Sequence, residues 1–323
     1  MRESTEFFDI LMGAIRRETE AFNYYYNASE KSPSGETKSL LLQLAEEERR
    51  HRTILLQEYR NLRRLLSGEN KEVFLEKEKV SFHLPGEPNF KRVQSLKPVD
   101  LTVVSLPTEL VGGDFFDTFV IKDEKRMGFL IFDIMGHGLE ATELKAKTRM
   151  EWGKLKELYL EKEAHSLLLT PSSVITQLNH QLWDECQRLA SFVTMFYAVL
   201  DLSKNRLVYA SAGHEPPMVF QKEGYRHLIE GDLLMGIDKS KTYGETNVEI
   251  YPRDVLVMFT DGVVETLNPK DEEFSVRNLS RVVEENKKMT ASQIVRQILI
   301  ALKDFMGGAP LTDEFTLAVA KLS

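Results

Sequence analysis

Four aspartates stand in settings that could do chemistry. Asp114 lies in Val111-Gly-Gly-Asp-Phe-Phe-Asp117, and Asp133 in Phe129-Leu-Ile-Phe-Asp-Ile-Met-Gly-His-Gly138. Asp261 ends the run Val255-Leu-Val-Met-Phe-Thr-Asp-Gly262, and Asp313 opens Asp313-Glu-Phe-Thr-Leu-Ala-Val319. Each borders a short apolar run, the kind that forms a strand, and the neighbouring glycines let the backbone turn tightly there. Strand ends of this sort hand carboxylates to loops. Four oxygen ligands, with no cysteine and little histidine among them, suit a hard divalent cation such as Mg²⁺ or Mn²⁺. A second candidate set lies near the N-terminus: Glu18, then Glu48 and His51 three residues apart, so that both side chains of the pair point the same way on a helix.

The elements that must position these groups fall in two blocks. Residues 4–30 and 36–66 read as long helices broken by Pro33-Ser34-Gly35. Phe7, Leu11, Ala14, Glu18, Ala21, Tyr25 and Ala28 recur at helical spacing in the first. Leu41, Leu44, Glu48, His51, Leu55 and Leu62 do so in the second. This predicts an inward stripe that carries Glu18, Glu48 and His51, and charges on a buried face need partners or a metal. Residues 67–94 read as a linker: a charged segment with a short helix over 71–80, then Pro85-Gly86-Glu87-Pro88. From residue 95 the pattern changes. Strands are predicted over 99–106, 117–122, 127–134, 192–201, 205–212, 216–221, 246–250, 254–260 and 315–321. Helices are predicted over 139–162, 171–190, 275–287 and 290–306. Thr170-Pro171 is a helix start, and Thr290 with Gln293 a capping box. Strands and helices come in blocks, which favours an α+β layered sandwich over a doubly wound sheet.

Composition bounds the function. The chain has 323 residues, 42% hydrophobic and 28% charged, which suits a soluble chain with a sizeable core. A net charge of -8 without a basic tail argues against nucleic-acid binding. Cys186 is the one cysteine, so no intramolecular disulfide forms. The start has no basic segment followed by an apolar one, and no apolar run approaches the roughly 18 residues of a membrane span. A cytoplasmic protein without a membrane segment is expected.

Five motifs then occur in order: Gly112-Gly-Asp114-Phe-Phe-Asp, Asp133-Ile-Met-Gly-His-Gly138, Ala212-Gly-His-Glu-Pro-Pro217, Thr260-Asp-Gly-Val-Val-Glu265 and Thr312-Asp-Glu-Phe-Thr316. Together they resemble the SpoIIE/RsbU-type branch of the PPM (protein phosphatase 2C-like) Ser/Thr phosphatases over residues 95–323. Any one aspartate beside a glycine is ordinary turn chemistry; four at strand ends in this order are not. The resemblance implies an α-β-β-α sandwich holding two Mn²⁺ or Mg²⁺ ions. It implies that Asp133 bridges the metals, that Ile134 ligates through its carbonyl with a side chain free to vary, and that Asp114, Asp261 and Asp313 complete the acidic set. Glu314 stands where many members have a second Asp, beside the ligand position, and Met135 replaces a small residue; neither removes a ligand. The chemistry implied is hydrolysis of a phosphoserine or phosphothreonine by a metal-activated water, needing no Cys or Ser nucleophile. The implied substrate is a phosphoprotein such as a phosphorylated anti-sigma-factor antagonist in bacterial partner switching. Cys186 reads as packing and His214 as a turn residue. His137 is a candidate general acid, though its glycine neighbours also suit a plain turn.

Glu18-x-x-Ala21-x-x-x-Tyr25 and Leu44-Ala-Glu-Glu-Glu48-Arg-Arg-His51 resemble the rubrerythrin branch of the ferritin-like superfamily over residues 1–66. That resemblance implies an all-α hairpin with half of a di-iron site, a Glu on one helix facing Glu-x-x-His on another. A homodimer through residues 1–66 would supply the second half and an iron-dependent input. The same polar residues also suit a dimerising hairpin in which they only fix register. Two other functions compete. Gly112-Gly-Asp-Phe-Phe superficially resembles the Gly-Gly-Asp-Glu-Phe signature of diguanylate cyclases, but lacks its Glu. A non-enzymatic dimeric metal-binding scaffold with a phosphatase-like partner-binding domain is the other alternative, and the intact aspartates argue against it.

Overall fold

Two helices open the chain, α1 (Arg2–Lys31) and α2 (Gly35–Ser67). Then follow β1 (Val99–Leu106), β2 (Phe115–Ile121), β3 (Arg126–Met135), α3 (Leu139–Glu161), α4 (Pro171–Leu189), β4 (Phe192–Asp201), β5 (Arg206–Ala212), β6 (Met218–Gln221), β7 (Gly224–His227), β8 (Thr246–Glu249), β9 (Val255–Phe259), α5 (Asp261–Val264), α6 (Ser275–Asn286), α7 (Ala291–Met306) and β10 (Phe315–Leu322). The computed structural model describes residues 2–67, 99–106, 113–121, 125–136, 139–161, 166–229, 231–311 and 313–322. The predicted linker helix over 71–80 and His137 lie outside them.

Strand alternation builds the layers. Successive side chains of a strand face opposite ways. Met127, Phe129 and Ile131 of β3 therefore enter one core, shared with Leu256 and Met258 of β9 and Ala318 and Ala320 of β10. Leu130, Phe132 and Ile134 enter another, with Trp152 and Leu155 of α3 and Leu178 and Leu182 of α4. A third core packs Val257 and Phe259 of β9 and Leu317 of β10 against Leu279 of α6 and Ile294 and Ile298 of α7. Helices, sheet, sheet, helices is the α-β-β-α sandwich. Both sheets are antiparallel and five-stranded, in the orders β1-β10-β9-β6-β7 and β2-β3-β4-β5-β8. A strand covered on both faces has little polar character, and β4 is buried along its whole length and apolar but for Thr194 and Asp201.

Local signals behave as their chemistry demands. Pro171 sits in the first turn of α4, and the Thr290–Gln293 capping box opens α7. Two elements escaped the sequence reading. Strand β7 is Gly-Tyr-Arg-His at a sheet edge, too short and polar for a period, and α5 is a single turn inside a motif read as a loop.

The N-terminal stripe is displaced by one residue from the prediction. The buried positions are Ile15, Thr19, Phe22, Tyr26 and Ser29 on α1 and Ala45, Arg49, Arg52, Leu56 and Tyr59 on α2. They face the sandwich. Ile15, Leu56 and Tyr59 pack with Phe192, Leu233, Leu234 and Ile237, while Phe22, Tyr26 and Ala45 pack with Ile229. The predicted stripe runs beside this one. Its members Glu18, Leu44 and Glu48 are half-buried, and Phe7 and His51 are exposed. The expected stripe is that of a dimerising hairpin; packing on the sandwich keeps its period and moves the buried face by one residue.

Candidate metal centre

Register brings Asp114 to Asp133. Strands β2 and β3 pair Phe115 with Phe132, so the next antiparallel step sets Asp114 across from Asp133. Asp133 shares the parity of Met127, Phe129 and Ile131 and so projects between the two sheets. On β9 and β10 the same inter-sheet parity falls on Thr260 and Thr316, and one step beyond on Glu314. Carboxylate oxygens of Asp114, Asp133 and Glu314 lie within 4.8 Å of one another. Asp313 takes the other parity and is exposed. Its charge still reaches Asp133 and Asp261. Glu314, read from the sequence as standing beside the ligand position, has its carboxylate within this group.

Hydrogen bonds fix these side chains. Thr260 Oγ1 donates to Asp114 Oδ2 at 2.6 Å and accepts from the Thr316 backbone N–H at 2.8 Å. The Gly113 N–H donates to Glu314 Oε1, and the Asp114 N–H approaches the same oxygen at 3.4 Å. Glycine is required at two points of close approach. A Cβ on Gly113 would stand 2.8 Å from Asp133 Oδ1 and 3.1 Å from the Ile134 carbonyl oxygen. One on Gly262 would stand 2.0 Å from the Glu314 carbonyl oxygen. The Ile134 carbonyl thus borders the cluster, while its side chain is buried against α3 and α4 and is not free to vary.

The electrostatics are those of a site built for cations. Burial, then Glu314, pushes Asp114 up to about 8. Asp133 is raised well above the carboxylate range by burial, then by Asp261, Asp114, Asp313 and Glu314. Asp261 is raised by burial, then by Glu265, Asp313, Glu215 and Asp114. Crowded buried carboxylates repel unless a cation or protons join them. An all-oxygen donor set of this density fits Mg²⁺ or Mn²⁺.

Several residues had escaped the sequence reading. Lys145 on α3 is half-buried and interacts electrostatically with Glu314, Asp114 and Asp133. It follows Leu144 of the buried face, and nothing in its local sequence sets it apart. Glu215 and Glu265 interact electrostatically with Asp261. Asp117, in the same motif as Asp114, faces away and accepts from Trp152 Nε1 at 2.7 Å and Lys156 Nζ at 2.5 Å, fastening α3 to β2. His214 is buried and pushed down to about 3, so it is neutral, and it shares a 2.9 Å hydrogen bond with Thr194 Oγ1. Burial pushes the Cys186 thiol up to about 12, which leaves it a packing residue.

A second cluster lies on the hairpin. Oxygens of Glu18 and Glu48 and a ring nitrogen of His51 fall within 4.8 Å of one another. His51 Nδ1 is 3.1 Å from Glu48 Oε2 and 3.7 Å from Glu18 Oε2. A hydrogen bond with Glu48, then burial, raises Glu18. The sequence-predicted set is together, and it is open to solvent on one side.

Comparison with known proteins agrees with this architecture. The family model for stage II sporulation protein E (SpoIIE) matches residues 123–323, and that for rubrerythrin matches residues 9–93. The phosphoserine phosphatase RsbU of Bacillus subtilis is 28% identical over 236 residues, covering 71% of this chain and 65% of that protein. The phosphoserine phosphatase RsbP of the same organism is 24% identical over 159 residues, 48% of this chain and 37% of that one. The chain spans less than two thirds of the length of these relatives. The SiaA PP2C domain of Pseudomonas aeruginosa superposes with a TM-score of 0.60 at 16% identity, over 69% of this chain and 86% of that one. The PP2C domain of SpoIIE from Bacillus subtilis gives 0.55 at 17% identity, over 71% and 64%. At such identities the structures establish the fold, a PP2C-type sandwich. The SpoIIE model covers more than half of the chain, and the chain belongs to the SpoIIE family.

Proposed function

We propose that this chain is a metal-dependent protein-serine/threonine phosphatase. The observation that carries the reading is the convergence of Asp114, Asp133 and Glu314, with Asp261 and Asp313 in electrostatic reach, at one end of the sandwich. Asp114, Asp133, Asp261 and Asp313, with the Ile134 carbonyl and Glu314, would hold two Mn²⁺ or Mg²⁺ ions. Such ions, when bound, supply Lewis acidity toward a phosphate ester and toward the water that attacks it. The chain's own residues do the positioning. Thr260 holds Asp114 in one rotamer, Gly113 and Gly262 let the backbone close on the carboxylates, and Lys145 adds a positive group facing the same space. The buried Cys186 is not available as a nucleophile. The substrate class is a phosphoprotein. Likeness to RsbU favours phosphoserine, and the family resemblance favours a phosphorylated anti-sigma-factor antagonist. Among the described residues no helix is long and apolar enough to cross a membrane.

The test is turnover of an aryl phosphate and of a phosphoserine protein by the full chain with Mn²⁺, beside Asp133→Ala. Mn²⁺-dependent turnover lost in Asp133→Ala is the expected result. Turnover that survives in Asp133→Ala, or a wild type inert toward both substrates, overturns the reading and favours the non-enzymatic scaffold.

The hairpin is proposed to bind iron as a homodimer. The support is the Glu18–Glu48–His51 cluster and the exposed apolar residues on the same helices, among them Phe7, Ile10, Leu40 and Ile54. A second copy would cover that face and double the ligand set. Iron content after anaerobic Fe²⁺ loading and mass by light scattering decide this. An iron-free monomer sinks it.

A further inference from the structure

Among the described residues a dense group of charges lies where α2 meets the sandwich. Arg49 is 4% exposed and Arg52 is 7% exposed. Arg49 Nη1 pairs with Glu265 and lies 3.7 Å from Glu215 Oε1. Its Nε donates to Glu46 Oε1 at 3.1 Å, and its Nη2 lies 3.9 Å from Glu273 Oε2. One buried guanidinium thus ties α2 to two separate pieces of the sandwich. Arg52 sits one turn on, its guanidinium 5.7 Å from the centre of the Phe22 ring.

Two of these sandwich partners are not arbitrary surface acids. Glu265 caps the C-terminal end of α5, the single helical turn that begins with Asp261. Its N–H bonds back to the Asp261 carbonyl at 2.9 Å. Glu215 follows His214, whose ring is hydrogen-bonded to Thr194, the partner of Asp133 in the β3–β4 ladder. A four-residue helix has little rigidity of its own. At its start the Thr260 hydroxyl fastens it to Asp114, and at its end Arg49 fastens it to the hairpin.

From this geometry we infer that Arg49 is a positioning residue of the metal centre: supplied by the N-terminal hairpin, it clamps Glu265 and Glu215 and thereby sets the placement of Asp261. The inference rests on the metal-dependent phosphatase reading. A planar, forked cation suits a clamp on several carboxylates better than a lysine does.

The experiment is calorimetric Mn²⁺ titration of the full chain. The isotherm of Asp133→Ala identifies binding outside the sandwich. Arg49→Ala is expected to weaken Mn²⁺ binding at the sandwich site about tenfold, the usual effect of losing a group that supports a ligand. Arg49→Lys should recover part of this loss. Glu265→Gln, which breaks the pair from the sandwich side, should reproduce it, and Arg49→Met, which keeps the buried stem and leaves Glu265 in place, decides the matter where Arg49→Ala does not fold. Variants that melt cooperatively yet bind Mn²⁺ within twofold of wild type overturn the clamp. Because binding is read directly, this failure is distinct from a wild type that binds Mn²⁺ but hydrolyses nothing, which overturns the phosphatase reading instead.

Discussion

Replacing Asp133 with Asn should stabilise the metal-free protein while abolishing its response to metal. Oxygens of Asp114, Asp133 and Glu314 lie within 4.8 Å of one another. Two full charges at that distance repel by about 3.5 kcal/mol at an effective dielectric constant of about 20. Without metal the protein either bears this repulsion or binds protons to relieve it. Asp114 is raised from 3.8 to about 8, so its folded form holds a proton that its unfolded form releases. A carboxyl raised in this way adds stability below its unfolded value, and that stability is lost as pH climbs through the folded value. Metal-free wild type should therefore weaken between about pH 4 and pH 8. Asp133→Asn removes the most crowded charge and should flatten that slope. At pH 8 the gain should be about 2–4 kcal/mol, a rise in Tm of roughly 5–10 °C for a domain of this size. At pH 5 it should nearly vanish. Thermal melts in EDTA, then with Mn²⁺, read all of this: Mn²⁺ should raise the wild-type Tm most at pH 8 and leave Asp133→Asn unmoved. A variant melting at or below wild type in EDTA at pH 8, with the same pH slope, would refute the reasoning.

Three further outcomes follow from the same contacts. Thr260→Val removes the donor to Asp114 and leaves the buried Thr316 N–H without its acceptor, so a loss of about 1–3 kcal/mol by urea denaturation is expected, together with weaker Mn²⁺ binding. Gly262→Ala places a Cβ 2.0 Å from the Glu314 carbonyl oxygen; α5 or the segment carrying Glu314 must move, and calorimetry should show Mn²⁺ binding lost with destabilisation of about 3 kcal/mol. Cys186, buried and raised to about 12, should resist alkylation by iodoacetamide at pH 8 until the protein unfolds, as read by mass spectrometry.

How far the sequence could be read depends on the range of the forces involved. Strands β3, β4 and β9 were legible because burial on both faces leaves an apolar run that little else explains. Asp114, Asp133 and Asp261 were legible because each borders such a run. Glu314 was not, because its role depends on strand parity carried one residue past the start of β10, and Asp313 occupies the position the motif marks. Asp117 shares a motif with Asp114 but serves α3, a distinction that only the Trp152 and Lys156 contacts make. Lys145, Glu215 and Glu265 acquire meaning only from partners far along the chain. The pair interaction of Arg49 with Glu265 spans 216 residues, and no local pattern can carry it.

Helix α2 shows the consequence most directly. Glu48 and His51 were placed on its inward stripe, yet the buried residues are Arg49 and Arg52. One residue is a turn of about 100° on a helix, so neighbouring positions serve different neighbours. Glu48 and His51 meet Glu18 across the hairpin, whereas Arg49 and Arg52 meet the sandwich. Both are i, i+3 pairs, interleaved within one helical turn, and a helix turns as a rigid body. A rotation of α2 that re-aims Glu48 and His51 toward a ligand must also re-aim Arg49, and Arg49 holds the far end of the turn that carries Asp261. One helix thus joins the Glu18–Glu48–His51 cluster to the proposed clamp on Asp261.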